Sequence, residues 1–261
     1  MRSLGLLWSY LKIGVANEFQ YRVNFFIQLL QSFIALAAGL IGLALVFSYT
    51  SDLGGWSRPE LLMVMGIYIL MGGVIGTFIQ PNMNRLLSEI GEGTLDFALI
   101  KPVDSQVLVS LRELSLWSLT DVIVGLVVAG VAIAQLQQQV GIWQALGFVA
   151  ALVLGGILIY CFWLIITSIA FWVIRLNDFI LVFQAIYSAG RWPVSIYPDW
   201  LRIGLTFLVP LAFAITVPAE ALTGRLSPLT LLGALAMTVL FAGLARLMWS
   251  LGVRRYSGAS A

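Results

Sequence analysis

The side chains that could carry out chemistry are few in this sequence, and they limit what the protein can do. The chain contains no histidine and one cysteine, Cys161, which lies inside an apolar run. An internal disulfide, a histidine-based zinc site, a Ser-His-Asp triad and a Cys-His dyad are therefore excluded. The only lysines, Lys12 and Lys101, do not follow a glycine, so the phosphate-binding Gly-Lys-Ser/Thr motif of an ATPase is missing. We predict no catalytic residues, no metal site and no cofactor in this chain.

One acidic residue, Asp121, lies inside a long apolar stretch. An ionisable side chain within a membrane span is a candidate functional site. Two interpretations remain open: an intramembrane polar site that takes part in function, or a carboxylate that pairs with another polar group near the inner interface.

The elements that must position these residues are apolar helices. Of the 261 residues, 61% are hydrophobic and 10% charged, whereas soluble domains contain about a quarter charged residues. Runs of about 20 apolar residues can each cross the hydrocarbon layer of a bilayer. We predict an all-α polytopic membrane protein in which 1–261 form one transmembrane domain with six transmembrane helices. The predicted spans are 23–47, 61–79, 114–136, 145–174, 179–190 and 229–251.

The predicted ends of these elements come from local signals. In the stretch 1–21, apolar residues recur on one helical stripe, which is typical of an interfacial helix, although a simple extension of the first span stays open. Ser57 and Glu60 match a capping box at the start of the second span, and Pro81 is predicted to end that helix.

The region 197–224 is rich in proline, and its topology follows from charge. A seventh crossing there would place Arg254 and Arg255 outside, against the positive-inside tendency. We therefore predict an outer re-entrant helical hairpin at 197–224 and two cytosolic termini. With six crossings, the inner side holds Arg2, Lys12, Arg22, Arg85, Lys101, Arg112, Arg175, Arg246, Arg254 and Arg255.

The loop 81–113, between the second and third spans, is the most charged inner loop. Gly91 and Gly93 are predicted to break a first helix, and Thr94 to cap a short second one that Pro102 ends. The apolar stripe expected on this short helix consists of Leu95, Leu99 and Ile100. A helix of this kind can contact another protein, and a solvated loop without a partner is the alternative.

Two runs of the sequence resemble a known family. They are GEGTLDFALIKPV, in this loop, and the later YPDWLRIGLTFLVPLAFAITVPAEALTG. Both are similar to regions of type-2 ABC exporter permeases (the ABC-2 family), in the same order and spacing along essentially the whole chain. Many relatives have a basic residue before Gly-Thr-Leu-Asp, where this chain has Gly91 and Glu92.

The resemblance implies a permease subunit that couples hydrolysis of ATP, with Mg, on a separate ATPase subunit to transport of a hydrophobic or amphipathic substrate. It implies a second permease half, identical or paralogous, and a bacterial plasma membrane location. The implied ATPase contacts are Glu92, Gly93, Thr94, Leu95, Asp96 and Leu99. The residues implied to shape the outer hairpin and gate are Pro198, Pro210, Pro218 and Ala219.

Two other function classes are weighed against the permease. An ion-coupled secondary transporter would show paired carboxylates or broken helices in both halves of a repeat, and only Asp121 is available here. An intramembrane lipid-processing enzyme would use histidine or paired acids as acid–base groups, and neither set occurs in the sequence.

Overall fold

The computed structural model describes residues 22–136, 140–173 and 179–256, and these ranges are mostly helical. The predicted interfacial helix at 1–21 lies outside them. The α-helices are α1 (Arg22–Tyr49), α2 (Arg58–Val74), α3 (Gln80–Glu92), α4 (Asp96–Leu99), α5 (Ser105–Ser110), α6 (Leu119–Leu136), α7 (Ile142–Ser168), α8 (Phe179–Ser188), α9 (Asp199–Ile203), α10 (Val217–Leu222) and α11 (Pro228–Arg255).

Within the described ranges, five helices are long and apolar enough to cross a membrane, or up to six if one bent pair counts as a single span. This confirms the all-α polytopic fold. The five are Phe26–Tyr49, Arg58–Glu92, Leu116–Leu136, Ile142–Phe171 and Pro228–Arg255. At the start of the second, the carboxylate of Glu60 accepts a hydrogen bond from the amide of Ser57 at 2.7 Å, as the capping signal predicted.

The second span does not end at Pro81, and that prediction was wrong. The helix continues to Glu92 through a π-helical segment, Ile75–Ile79. A regular helix would need an N–H at Pro81 to bond the carbonyl of Thr77, and proline has none. The wider π turn accommodates the proline, and the Thr77 carbonyl accepts the amide of Ser115 at 3.1 Å instead.

The bent pair consists of Asp199–Leu208 and Ala212–Leu222, which meet at 79°. The break lies around Pro210, where the amide of Val209 bonds back to Gly204 and ends the first stretch. The second stretch is buried inside the protein, whereas Leu208 at the end of the first is exposed. Two inclined helices suit a broken span as well as a re-entrant loop, so the re-entrant course of 197–224 stays a prediction.

The tightest packing joins α2 to α6, and glycines make it possible. A methyl carbon placed on Gly125 would lie 2.4 Å from the backbone nitrogen of Leu70, and one on Gly73 would lie 2.6 Å from that of Val122. Close backbone approach through small residues is the usual way that membrane helices associate. Gly72 and Gly76, which have the spacing of a GxxxG helix-packing motif, lie elsewhere: Gly72 faces the side chain of Tyr187 and Gly76 faces Ser118.

We expect Gly125→Ala to separate α2 from α6, because the added methyl group meets backbone atoms that cannot rotate away. Overpacking of this kind costs about 1–3 kcal/mol, which should lower the thermal midpoint of the purified protein in detergent. Gly130→Ala is the matched control on the same helix, since a methyl carbon there meets nothing within 4 Å. Equal midpoints for the two variants would contradict this packing.

Candidate functional site

The segment 92–101 follows directly from the end of the long second helix. Gly93 adopts a left-handed conformation (φ 74°) and ends α3, because only glycine takes this conformation without steric cost. Gly91, predicted to break the helix, lies inside it. The short helix α4 follows with Leu95 rather than Thr94 at its N-cap, so the predicted Thr94 cap is wrong.

The structure corrects which side chains of this segment face outward. Leu95 is fully buried (0% exposed), and its amide donates to the Tyr256 hydroxyl at 3.1 Å. Leu99 is partly buried against the core. The prediction that Leu95 lies on a contact surface is therefore wrong. The outward side chains are Phe97 (71% exposed) and Ile100 (78% exposed), which we call the loop pair. Glu92 is exposed as well.

The spacing of the apolar residues in this segment explains why its outward face was predicted wrongly. Leu95, Ala98 and Leu99 are spaced for one helical face, and Phe97 and Ile100 for another. Both faces are apolar, so periodicity alone does not say which one the protein covers. Contact with the end of α11 decides this, because Tyr256 lies against the backbone of Leu95.

An ion-pair network supports the segment from α3. The guanidinium of Arg112, whose side chain is 4% exposed, donates to both carboxylate oxygens of Glu89 at 2.9 and 2.7 Å. Arg85 bonds Glu89 and Glu113. The carboxamide of Asn82 accepts the amides of residues 112 and 113 at 2.8 and 2.9 Å. The chain leaving the loop is thereby attached to the helix that enters it.

The last span holds the loop from the other side. The carboxylate of Asp104 pairs with Arg246 at 2.7 Å, and the hydrogen bonds from Arg246 lower the pKa of Asp104. The indole of Trp249 donates to the Ser105 hydroxyl at 3.3 Å. No local sequence signal pointed to Arg246, which lies far along the chain. The segment 92–101 is thus fixed between the second and last spans.

Asp121 is satisfied by the first span. Its carboxylate accepts hydrogen bonds from the side-chain nitrogen Nε2 of Gln28, at 3.0 Å, and from the hydroxyl of Ser32. These three side chains form a polar cluster between α1 and α6 and bind the two helices together. The arrangement matches the second interpretation of Asp121, in which the carboxylate pairs with another polar group.

The predicted hairpin residues lie along the bent pair. Pro198 precedes α9, Pro210 occupies the break, and Pro218 and Ala219 begin α10 and are buried. A residue that sequence reasoning missed joins this region to the second span. Arg225 pairs with Glu60 at 2.7 Å, and its guanidinium lies 4.7 Å from the centre of the Trp56 ring.

The long apolar helices make this chain a polytopic membrane protein. The loop between two of them presents exposed apolar side chains, Phe97 and Ile100. A family model described as ABC-2 family transporter protein matches residues 33–260. The chain belongs to this family of ABC transporter permease subunits, which confirms the resemblance. No curated protein and no solved structure matches the chain.

We expect Glu89→Gln to destabilise the loop, because it leaves the buried guanidinium of Arg112 without a counter-ion. Removing one partner of a buried pair costs about 3 kcal/mol or more, measured as a fall in the thermal midpoint of the purified protein. Glu92→Gln makes the same charge change at an exposed position and should leave the midpoint unchanged. The network is not needed for stability if both variants melt like the wild type.

Proposed function

We propose that this permease subunit couples ATP hydrolysis on a separate ATPase subunit to export of a hydrophobic or amphipathic substrate. The segment 92–101 is the contact surface for that ATPase, which would hold the ATP and Mg. A second permease half, identical or paralogous, completes the transmembrane path. The complex lies in a bacterial plasma membrane with both termini of this chain in the cytosol.

The observation that carries the proposal is the loop pair, Phe97 and Ile100. Exposed apolar side chains inside a span face lipid, but these two lie on a polar loop beyond the second span. The loop that carries them is held where it leaves, by the bonds that join Arg112 to Asn82 and Glu89, and at Leu95, by Tyr256 after the last span. A rigid apolar surface at the end of a long helix can receive a force from a partner and pass it on to the span.

The alternative functions receive no support from the site. Ion coupling would depend on Asp121, whose two oxygens are already bonded to Gln28 and Ser32. An intramembrane enzyme would need clustered acid–base groups, whereas three acids of the loop, Glu89, Asp104 and Glu113, are each paired with an arginine.

We expect the double variant Phe97→Ala/Ile100→Ala to weaken binding of the ATPase by about a hundredfold. Burial of a large apolar side chain is worth about 1.5–3 kcal/mol, and about 1.4 kcal/mol corresponds to a tenfold change in affinity. Because both side chains are exposed in this subunit, the fold should remain intact. The measurement is co-purification with the candidate ABC ATPase, followed by ATP hydrolysis by the complex in lipid.

The matched control for this test is Ile142→Ala/Trp143→Ala, two equally exposed side chains at the start of α7. This double variant should bind and stimulate the ATPase like the wild type. Wild-type binding by the Phe97/Ile100 variant, or an equal loss in the control, would show that the loop pair is not the docking surface.

The proposed topology predicts which positions an impermeant thiol reagent reaches in intact cells. In a Cys161→Ala background, Ser51→Cys, in the turn after α1, should react from outside. Glu92→Cys and Ser257→Cys should react only after the membrane is permeabilised, because both lie on the cytosolic side. Labelling of Ser257→Cys in intact cells would refute the even number of crossings.

A further inference from the structure

A cleft of about 460 Å³ opens between the bent pair and the start of α11. We call it the hairpin cleft. Its walls are mostly apolar and include Ile203, Phe207, Phe213 and Met237. The volume falls within the range of small-molecule sites, roughly 300–1,000 Å³. One carboxylate, that of Glu220, lines it.

The other polar side chains that line the cleft already have partners. Ser195 accepts the indole N–H of Trp56, Thr206 donates to the carbonyl of Arg202, and Thr216 accepts the amide of Val194. In the same lining, Thr230 bonds Ser227, and Arg202 pairs with Asp199.

Glu220 differs from these residues. Within the part of the chain that the structure describes, no hydrogen bond or ion pair reaches its carboxylate. Two arginines lie nearby, and both have other partners. Arg202 pairs with Asp199. Arg225 is bound to Glu60 and to the carbonyl of Gly55, and its guanidinium lies over the ring of Trp56. A partly buried carboxylate without a partner is energetically costly, which points to a counter-ion supplied from outside the chain.

The lining selects the kind of counter-ion. A metal ion such as Ca²⁺ needs six or more oxygen ligands, whereas the cleft offers one carboxylate among apolar walls. An organic cation costs less free energy to dehydrate than a metal ion. It can place its apolar body against Phe207 and Phe213, and the face of an aromatic ring also attracts positive charge. We propose that the hairpin cleft binds an amphipathic organic cation with Glu220 as its counter-ion.

Two sources share this chemistry: a free amphipathic cation and the ammonium headgroup of a membrane lipid. A role of the bound cation as transported substrate would rest on the proposed function. Binding itself does not, because it can be measured on the permease without an ATPase. A failure of the binding test would therefore leave ATPase docking by the loop pair untouched.

The test is equilibrium dialysis of radiolabelled tetraphenylphosphonium against the full-length permease in dodecyl maltoside, an uncharged detergent. We expect saturable binding that Glu220→Gln weakens by about tenfold or more, while Glu220→Asp, which keeps the charge, retains most of it. Asp52→Asn is the matched control, because it removes an outer carboxylate at an exposed position outside the cleft. Tetraphenylborate, an anion of the same shape, should not lose affinity in Glu220→Gln.

Competition then identifies the source within a confirmed site. Displacement of the probe by phosphatidylethanolamine but not by phosphatidylglycerol assigns the cleft to a lipid headgroup, and displacement by neither assigns it to a free cation. Unchanged tetraphenylphosphonium binding in a monodisperse Glu220→Gln preparation would overturn the proposal. So would wild-type protein that shows no saturable binding.

Discussion

The structure depends on one continuous helix, Arg58–Glu92, with a carboxylate near each end that pairs with an arginine from a distant part of the chain. Its 35 residues correspond to a length of about 52 Å at 1.5 Å per residue, against a hydrocarbon layer of about 30 Å. The helix therefore extends beyond the membrane core. Glu60 near its first end binds Arg225 beside the bent pair, and Glu89 near its last turn binds Arg112 in the loop. Displacement of the loop would reach the bent pair through this single element.

The last span restrains the same loop from the opposite side. Arg246, Trp249 and Tyr256 contact the loop at Asp104, Ser105 and Leu95. A loop attached to two spans cannot move without moving at least one of them, and this property suits a surface on which a partner acts. The same attachments bury Leu95 and leave Phe97 and Ile100 exposed. Stability of the loop and exposure of the loop pair thus have one physical origin.

Hydropathy was sufficient to predict the spans, because a helix in lipid must satisfy its own backbone and be apolar over its whole length. Local chemistry also predicted the start of the second span at Ser57. It predicted a glycine break at Gly93 as well, but at the end of a separate helix after Pro81 and not at the end of the second span. Pro81 misled us because the π turn and the amide of Ser115 replace the bonds that proline removes. The outward face of 92–101 and the pairing of Asp104 with Arg246, 142 residues apart, depend on tertiary contacts, which have no local signal in a single sequence.

The central claim is that Phe97 lies against an ATPase in the working complex. Benzoylphenylalanine incorporated at position 97 and irradiated in intact cells tests it most directly. We expect a crosslinked product in which mass spectrometry identifies a P-loop ATPase. The same probe at position 143, on the other side of the membrane, should give no such product. Crosslinks from position 97 only to lipid or to this chain itself, in cells that contain the cognate ATPase, would contradict docking of the ATPase at Phe97.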